Sequence, residues 1–164
     1  MPKVYLVRHA HAGNKADWYG PDLARPLSER GRRQASGLVA RLLDYPVGRI
    51  LSSPAARCRQ TVEPLATQRE VAVEATGLLG VDAVADGVLE LLGDPDLQNA
   101  VLCTHGELIG QVFGRLVKEG LDLPRDPRWP KGSTWVLGRA DGQVAAARYL
   151  EPLSAMAEQP GRHC

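Results

Sequence analysis

Short apolar runs alternate along this sequence with longer segments of helical periodicity, and this alternation limits the fold more than any other feature. The runs at residues 4–7 and 100–104 are typical of buried strands, and residues 49–52 are predicted to form a further strand. Between them, Ala35, Leu38 and Leu42 recur at the spacing of one helix face. The pattern predicts an α/β fold: three layers, with a mostly parallel sheet of about six strands and helices on both faces.

The last two predicted strands form a hairpin. Residues 134–137 and 144–150 flank Asp141-Gly142, a dipeptide typical of tight turns between antiparallel strands. We therefore expect one domain over residues 1–152 and a flexible C-terminal tail over residues 153–164. A chain of 164 residues is long enough to bury a core as one domain.

Several element boundaries can also be predicted. Ser28, followed by Glu29, is expected to cap the first helix, and Ser53, which precedes a proline, to cap the second. Pro64 is expected to kink or split that second helix. A weak third strand is predicted over residues 71–73, and Asp82 is expected to open the next helix.

Composition narrows the function classes. Hydrophobic residues make up 44% of the chain and charged residues 24%, which is typical of a globular protein. The net charge of +1 favours neither nucleic acid nor a membrane surface as a partner. Three scattered cysteines predict no disulfide framework and no zinc site, and the first apolar run is too short for a signal peptide. We expect a cytoplasmic protein without a metal or cofactor.

Polar residues capable of chemistry follow three of the predicted strands. Arg8 and His9 end the first strand, Arg57 begins the helix after the second, and His105 follows the run at 100–104. The carboxyl ends of strands in an open α/β sheet meet at one crevice. Two arginines and two histidines are therefore predicted to converge there.

These residue types suit a phosphoryl group. Guanidinium forks match phosphoryl oxygens, and the helix N-terminus near Arg57 favours an anion. One imidazole can attack phosphorus while the other donates a hydrogen bond. Because phosphoryl transfer depends mainly on positioning and charge stabilisation, such a site can act without a metal.

Four segments carry a resemblance to a known family. LVRHAHAG, PLSERGRRQA, SSPAARCRQT and VLCTHGELIG occur in this order, and together they resemble the histidine phosphatase superfamily, whose fold is phosphoglycerate mutase-like. The similarity extends over nearly the whole chain, to about residue 152. It is strongest to the small SixA-type phosphohistidine phosphatases and to phosphatase domains fused to Nudix domains.

The resemblance implies roles for individual residues. His9 is the nucleophile that carries a transient phosphoryl group, and Arg8, Arg57 and His105 grip the phosphoryl oxygens. Further candidates for substrate binding are Asn14, Arg25, Gly106 and Lys131, of which Asn14 matches a phosphate contact common in the family.

The proton donor is the weakest part of the pattern. Larger family members place a glutamate after the third strand, and here that region contains no clear match. Asp82 is the best-placed carboxylate, followed by Glu74 and Asp86, although a helix cap explains Asp82 equally well. SixA-type enzymes lack an obvious donor, which suits a phosphoramidate because imidazole is readily protonated as it leaves.

Three hypotheses about function follow, two for the substrate of an enzyme and one for a protein without turnover. The first is a phosphorylated protein, with phosphohistidine as the group hydrolysed. The second is a small phosphorylated metabolite or nucleotide, and the loop aromatics Trp18, Tyr19 and Trp129 either stack on a nucleobase or pack the loops. The third is a phosphate-recognising module without turnover.

Two other chemistries are less well supported. His9 and His11 form an HxH pair, but no acidic cluster completes a metal site, so His11 is expected at the pocket edge. Neither Cys58 nor Cys103 is followed by arginine at the spacing of cysteine phosphatases. The arginines of the first predicted helix, Arg30, Arg32 and Arg33, are expected on a solvated face.

Overall fold

Two of the apolar runs pair in parallel at the centre of the sheet. In the computed structural model, which describes residues 2–154, they form β1 (Lys3–Arg8) and β4 (Ala100–Thr104). The other strands are β2 (Arg49–Ser52), β3 (Val73–Ala75), β5 (Thr134–Ala140) and β6 (Gln143–Leu150). The order is β3-β2-β4-β1-β5-β6, in which β1 to β4 are parallel and β5 and β6 form an antiparallel edge. The predicted mostly parallel α/β sheet is confirmed.

Four helices cover the two faces of this sheet in the described part of the chain. They are α1 (Glu29–Arg41), α2 (Ala56–Arg69), α3 (Ala85–Gly93) and α4 (Gly106–Lys118). Because successive strand residues point to opposite faces, Tyr5 packs with Leu38 of α1 and Leu65 of α2, whereas Leu6 packs with Val88 of α3 and Val112 of α4.

The start of α1 follows the sequence prediction. The Ser28 hydroxyl accepts a hydrogen bond from the Gly31 N–H at 3.0 Å, as expected for an N-cap. A Cβ at position 31 would lie 1.9 Å from the His11 carbonyl oxygen. A glycine at this position therefore lets α1 pack directly against the loop that leaves β1.

The prediction for the start of α2 is wrong. The helix begins at Ala56 with Ala55 as its N-cap, and the Ser53 hydroxyl accepts the Ala55 N–H at 3.2 Å before the helix begins. Pro64 does not split α2, which continues to Arg69. Val62 and Leu65 on either side of the proline are fully buried, and their packing stabilises the helix through this point.

Two boundaries after α2 also differ from prediction. The third strand is Val73–Ala75 rather than residues 71–73. Asp82 lies in an exposed turn, and α3 begins three residues later at Ala85, so Asp82 is not a helix cap. The buried face of α3 begins with Ala85 and Val88, which explains the later start.

The terminal hairpin is confirmed. Asp141 and Gly142 have φ angles of 55° and 75°, as a type I′ turn requires. The predicted tail lies outside the described residues from position 155 onward, and the predicted domain boundary at 152 stays a prediction. No helix within residues 2–154 is long and apolar enough to cross a membrane.

Candidate active site

The ends of three neighbouring strands bring separate parts of the sequence together. Arg8 at the end of β1 pairs with Thr104 at the end of β4. The next N–H, that of His9, donates to the Thr104 carbonyl at 3.0 Å, and the Ser53 N–H donates to the Cys103 carbonyl at 3.0 Å. These backbone bonds align the residues that follow β1, β2 and β4 along one edge of the sheet.

Two imidazole rings meet at this edge. The ring centroids of His9 and His105 are 5.4 Å apart, with the ring planes inclined at 63°. Both side chains are buried, at 6% and 8% exposure. The two histidines predicted to converge from different strand ends therefore lie next to each other.

The hydrogen bond of His9 defines which ring nitrogen is free. Nδ1 lies 2.8 Å from the Ala10 carbonyl oxygen. A carbonyl only accepts, so Nδ1 carries the proton, and the neutral ring has its lone pair on Nε2. Burial, with smaller effects from the charges of His105, Arg57 and Arg8, lowers the pKa of His9 to about 3, although the bond to Ala10 opposes the shift. His9 is therefore neutral at physiological pH.

His105 is held by groups from the second strand end and from α2. The Ser53 hydroxyl lies 2.9 Å from Nε2 of His105, and the Cys58 thiol lies 3.6 Å from the same atom. His105 is also the N-cap residue of α4. Its ring therefore lies at a helix N-terminus, where free N–H groups favour an anion.

The two predicted arginines each keep a donor free. Arg57 donates from Nη1 to the Asp22 carbonyl and from Nη2 to the Asp22 carboxylate, at 3.0 and 3.1 Å. Arg8 donates from Nη1 to the Trp129 carbonyl at 3.0 Å. The Nε atoms of both side chains are buried without a hydrogen-bond partner among the described residues. Such donors suit a phosphoryl oxygen, because buried N–H groups require an acceptor.

Asp22 connects Arg57 to Arg25, and it was not identified from the sequence. The carboxylate lies 3.1 Å from Arg57 and 3.4 Å from Arg25, which also donates to the Ala12 carbonyl. Burial opposes ionisation of Asp22, but the charge and hydrogen bond of Arg57 hold its pKa below the usual value. Arg25 thus reaches the site indirectly, through this carboxylate.

Thr61 is a second residue that the sequence did not reveal. Its hydroxyl accepts the Ala10 N–H at 2.9 Å and donates to the Arg57 carbonyl at 2.6 Å. One buried side chain thereby ties the residue after His9 to the helix that carries Arg57. The only sequence signal was its position one helical turn after Arg57 in the motif SSPAARCRQT.

The segment before β5 wraps around the end of β1. The Gly132 N–H donates to the carbonyls of both Arg8 and His9 at 3.1 Å, and the Arg8 N–H donates to the Ser133 carbonyl at 3.0 Å. Gly132 has φ +85°, a conformation that favours glycine. These bonds hold Lys131, a predicted substrate-binding residue, beside the end of β1.

Gly106 lies against Arg8. A Cβ at this position would lie 2.7 Å from the central guanidinium carbon of Arg8. Because Gly106 has no side chain, the Arg8 guanidinium has room to lie against it. The structure therefore relates the predicted binding role of Gly106 to the position of Arg8.

The remaining polar candidates make other contacts. The Asn14 side chain accepts the Ala16 N–H at 3.0 Å and caps a short 3-10 turn. Glu74 forms two hydrogen bonds of 2.9 Å with Arg49, and Asp86 forms an ion pair of 2.7 Å with Arg115. Among the carboxylates in residues 2–154, none makes a hydrogen bond or ion pair with His9 or His105.

The three loop aromatics have different surroundings. Trp129 packs on Phe113, with ring centroids 5.7 Å apart, and contributes the carbonyl that binds Arg8. Trp18 donates its indole N–H to the Pro21 carbonyl, whereas Tyr19 is fully exposed. The indole N–H bond fixes Trp18 to its own loop, and Trp129 packs beside Arg8.

A basic cleft opens on the outer side of Arg8. We use "basic cleft" for a depression of about 560 Å³ whose charged and polar lining includes Arg8, His11, Arg30, Gln34, Arg128, Lys131, Tyr149 and Glu151. His11 lies at its edge, with Nδ1 2.7 Å from the Ser28 hydroxyl. Within residues 2–154, no three His, Cys, Asp or Glu side chains gather as a metal site.

Comparison with known proteins supports the resemblance seen in the motifs. Residues 4–79 match the histidine phosphatase superfamily (branch 1). An 8-oxo-(d)GTP phosphatase from Mycolicibacterium smegmatis is 36% identical over 156 residues, which cover 91% of this chain and 48% of that protein. A Schizosaccharomyces pombe relative is 31% identical over 122 residues, or 57% of its length. The chain thus spans about half the length of these relatives.

Solved structures share the fold over nearly the whole chain. A Nakamurella multipartitia protein named for the phosphohistidine phosphatase SixA superposes with a TM-score of 0.70 and 25% identity, covering 93% of this chain and 96% of that one. The protein histidine phosphatase SixA complexed with tungstate also gives a TM-score of 0.70, at 18% identity over 93% and 96% of the chains, and it supports the fold alone. The sequence match, the relatives and the common fold establish that this chain belongs to the histidine phosphatase superfamily.

Proposed function

We propose that this protein is a metal-independent phosphatase that transfers a phosphoryl group to His9 and then to water. The observation that carries the proposal is the state of His9, whose Nδ1–H is bound to the Ala10 carbonyl at 2.8 Å. This bond leaves the Nε2 lone pair of a neutral ring as the nucleophile. The guanidinium groups of Arg8 and Arg57 supply positive charge for the phosphoryl oxygens, and His105 lies beside His9 as a further hydrogen-bonding group.

The first step forms one bond and breaks another. The Nε2 lone pair attacks phosphorus, and the bond from phosphorus to the leaving group breaks in line, with the electron pair departing on the leaving atom. The ring becomes a phosphorylated imidazolium, whose positive charge is stabilised by the Ala10 carbonyl at Nδ1–H. Thr61 holds Ala10 and Arg57 in register during this change.

The second step restores His9. A water oxygen attacks the phosphoryl group, and the bond between phosphorus and Nε2 breaks with its electrons returning to the ring. The water contributes a hydroxyl to phosphate, and its second proton passes to the leaving group or to solvent. Arg57 and Arg8 bind the same oxygens in both steps, since each has a buried Nε donor available.

Two substrate classes remain as candidates. A phosphohistidine protein, the first choice from the sequence, is supported by the lack of a carboxylate bonded to either ring in residues 2–154, since imidazole leaves without a strong acid. A small phosphorylated molecule such as a nucleotide is supported by the basic cleft and by the name of the M. smegmatis relative. We place the small molecule first because the cleft is charged and lies directly beside Arg8.

The central experiment compares the wild type with His9→Ala in a phosphatase assay containing a chelator. We expect the wild type to remain active and the variant to lose at least about 10³-fold in kcat, because no other group replaces a covalent nucleophile. Wild type quenched in alkaline detergent during turnover should contain a phosphoryl group on His9 that is stable in base and lost in acid. Loss of wild-type activity to the chelator, or full activity in the variant, would refute the proposal.

A substrate panel separates the two classes. Phosphohistidine peptide, a nucleoside monophosphate and a nucleoside diphosphate are assayed at matched concentrations. A kcat/KM at least tenfold higher for the peptide would favour the protein substrate, and the opposite order would favour the small molecule. Tight binding of these compounds without release of phosphate would indicate the recognition module instead. Asp82→Asn, assayed on the monophosphate, tests its proposed role as proton donor through the basic limb of the pH profile.

A further inference from the structure

The basic cleft carries more positive charge than the transferred phosphoryl group requires. Arg30, Arg128 and Lys131 line it, and none of them forms an ion pair with a carboxylate of residues 2–154. Glu151 is the one acidic side chain in the lining, and it lies 3.9 Å from Arg41. The cleft thus presents three cations and little opposing charge.

Lys131 joins this cleft to the nucleophile. The Gly132 N–H binds the carbonyls of Arg8 and His9, which fixes Lys131 one residue away from the end of β1. Burial lowers the pKa of Lys131, and the charges of Arg8, Arg25, Arg30 and Arg57 lower it further. A cation in such surroundings gains from a nearby anion, because the anion offsets both burial and repulsion.

The size of the cleft fits part of a small molecule. Its volume of about 560 Å³ lies within the range of ligand sites, roughly 300–1,000 Å³. Pro130, Pro152 and Tyr149 add less polar walls to the charged ones. A phosphate held by the cations would leave room for a further group against these walls.

The chemistry of the leaving group also supports a substrate with a second phosphate. No carboxylate of residues 2–154 bonds to either imidazole, and Asp22 is engaged by Arg57 and Arg25. An alkoxide needs a proton to leave, whereas a phosphate monoester has a second pKa of about 6 and departs as an anion near neutral pH. A site without a strong acid therefore suits a phosphoanhydride.

We propose that the basic cleft is a second phosphate subsite, in which Arg30, Arg128 and Lys131 bind the phosphate next to the one transferred to His9. The substrates are then phosphoanhydrides of small molecules, such as nucleoside diphosphates and triphosphates. This inference rests on the proposed phosphatase function. The bond between the terminal phosphorus and the bridging oxygen breaks, the electron pair stays on the departing phosphate, and water later supplies a hydroxyl to the phosphoryl group and a proton to solvent.

Calorimetry with inorganic phosphate and pyrophosphate tests the subsite without turnover when every protein compared carries His9→Ala, because pyrophosphate is itself a phosphoanhydride that the active enzyme would hydrolyse. We expect the His9→Ala parent to bind pyrophosphate at least about tenfold more tightly than phosphate, since charge-assisted contacts are the stronger class of hydrogen bond. Arg30→Gln and Arg128→Gln, each added to this parent, should reduce that ratio, and both together should bring it below about threefold. Equal affinity of the His9→Ala parent for the two anions would overturn the proposal.

A matched control is available on the same helix as Arg30. Arg32 is an exposed arginine of α1 that lines a different groove with Gln60 and Glu63. Arg32→Gln, added to the His9→Ala parent, removes the same charge and should leave the ratio of pyrophosphate to phosphate affinity unchanged. A similar drop in Arg32→Gln would mean that overall charge, rather than the cleft, produces the preference.

Kinetics then separate failure of the subsite from failure of the phosphatase function. The quantity measured is the ratio of kcat/KM for a nucleoside diphosphate to that for a nucleoside monophosphate. We expect the Arg30→Gln, Arg128→Gln double variant to lower this ratio at least about tenfold. An active wild type whose ratio does not respond would refute the subsite alone, whereas an inactive wild type would refute the phosphatase function and leave calorimetry to decide the subsite.

Discussion

Arg8 lines the basic cleft and its charge also acts on His9, and the paired imidazoles and the cleft differ in how their side chains are held. His9 and His105 are more than nine-tenths buried, and each has a ring nitrogen fixed by a protein group. In the cleft, Arg30 and Arg128 are exposed and form no ion pair with a described carboxylate. In the proposed function, the chemistry thus depends on atoms whose positions the fold determines, and recognition depends on side chains that can adjust.

The paired imidazoles and the basic cleft also differ in the backbone elements that carry them. The two rings follow β1 and β4, which are paired over five residues in the middle of the sheet. The cleft cations Arg30, Arg128 and Lys131 come from α1 and from the segment before β5, which contains several prolines. Changes at the rings should therefore alter the rate of the chemical step, while changes in the cleft should alter affinity.

Apart from loss of His9 itself, the largest effect is expected from His105→Ala. Loss of a ring donor beside the phosphoryl oxygens should lower kcat by about 10²- to 10⁴-fold with a smaller change in KM. Ser53→Ala, which removes only the hydroxyl at 2.9 Å from His105, should lower kcat by about tenfold or less. A kcat within threefold of the wild type for His105→Ala would break the distinction between the buried rings and the cleft.

The buried state of His9 should appear in the pH dependence of stability. Its pKa is lowered from 6.5 to about 3, chiefly by burial, so between these values the unfolded chain binds a proton that the folded chain does not. The free energy of unfolding should therefore fall as pH decreases from about 6.5 towards 3, by several kcal/mol, at about 1.4 kcal/mol per pH unit. Urea unfolding of wild type and His9→Asn measures this. Parallel curves for the two proteins would contradict the assignment.

Gly106→Ala should test whether Arg8 needs its present position. The added methyl would lie 2.7 Å from the guanidinium carbon, so Arg8 must move. We expect kcat/KM to fall about 10- to 100-fold, as for other small misplacements of binding groups, with little change in Tm. Gly114→Ala on the same helix has open space and serves as the control. Equal activity of both variants would show that Arg8 has another productive position.

The smallest effect should come from salt. Raising ionic strength from about 0.01 to 0.15 M shortens the Debye length from roughly 30 to 8 Å and weakens exposed charges more than buried ones. KM for a nucleoside diphosphate should rise several-fold, while kcat changes less than about twofold. A salt-sensitive kcat with a constant KM would reverse the roles of the two regions.

Sequence reasoning located the catalytic candidates because they occupy positions that a sheet defines. Arg8, His9 and His105 follow apolar runs, and parallel strands align their carboxyl ends. The same logic identified the hairpin turn and the Ser28 cap, which depend on residues close in sequence. It failed for the starts of α2 and α3, where the packing of buried residues decided the boundary rather than a local cap.

The supporting residues were not predictable for a related reason. Asp22 meets Arg57 across 35 positions of sequence, and Thr61 meets Ala10 across 51. Residues 10–27 have no strand or α-helix periodicity, so nothing in their pattern fixes the path that brings Asp22 to Arg57. The same irregular path explains why the sequence did not reveal that the Asn14 side chain caps the turn that follows it. The role of Asn14 in binding phosphate stays a prediction.

The shared hydrogen bond of Gly132 has a consequence for local unfolding. Its amide hydrogen is directed at the carbonyls of Arg8 and His9 together, so the segment carrying Lys131 cannot move away without freeing the backbone of His9, the proposed nucleophile. Opening here should be one cooperative event, visible as a common deuterium-exchange rate for the amides of Arg8 and Gly132. Binding of the second phosphate near Lys131 and reaction of the first phosphate at His9 would then be lost together whenever this segment opens, and regained together when it closes.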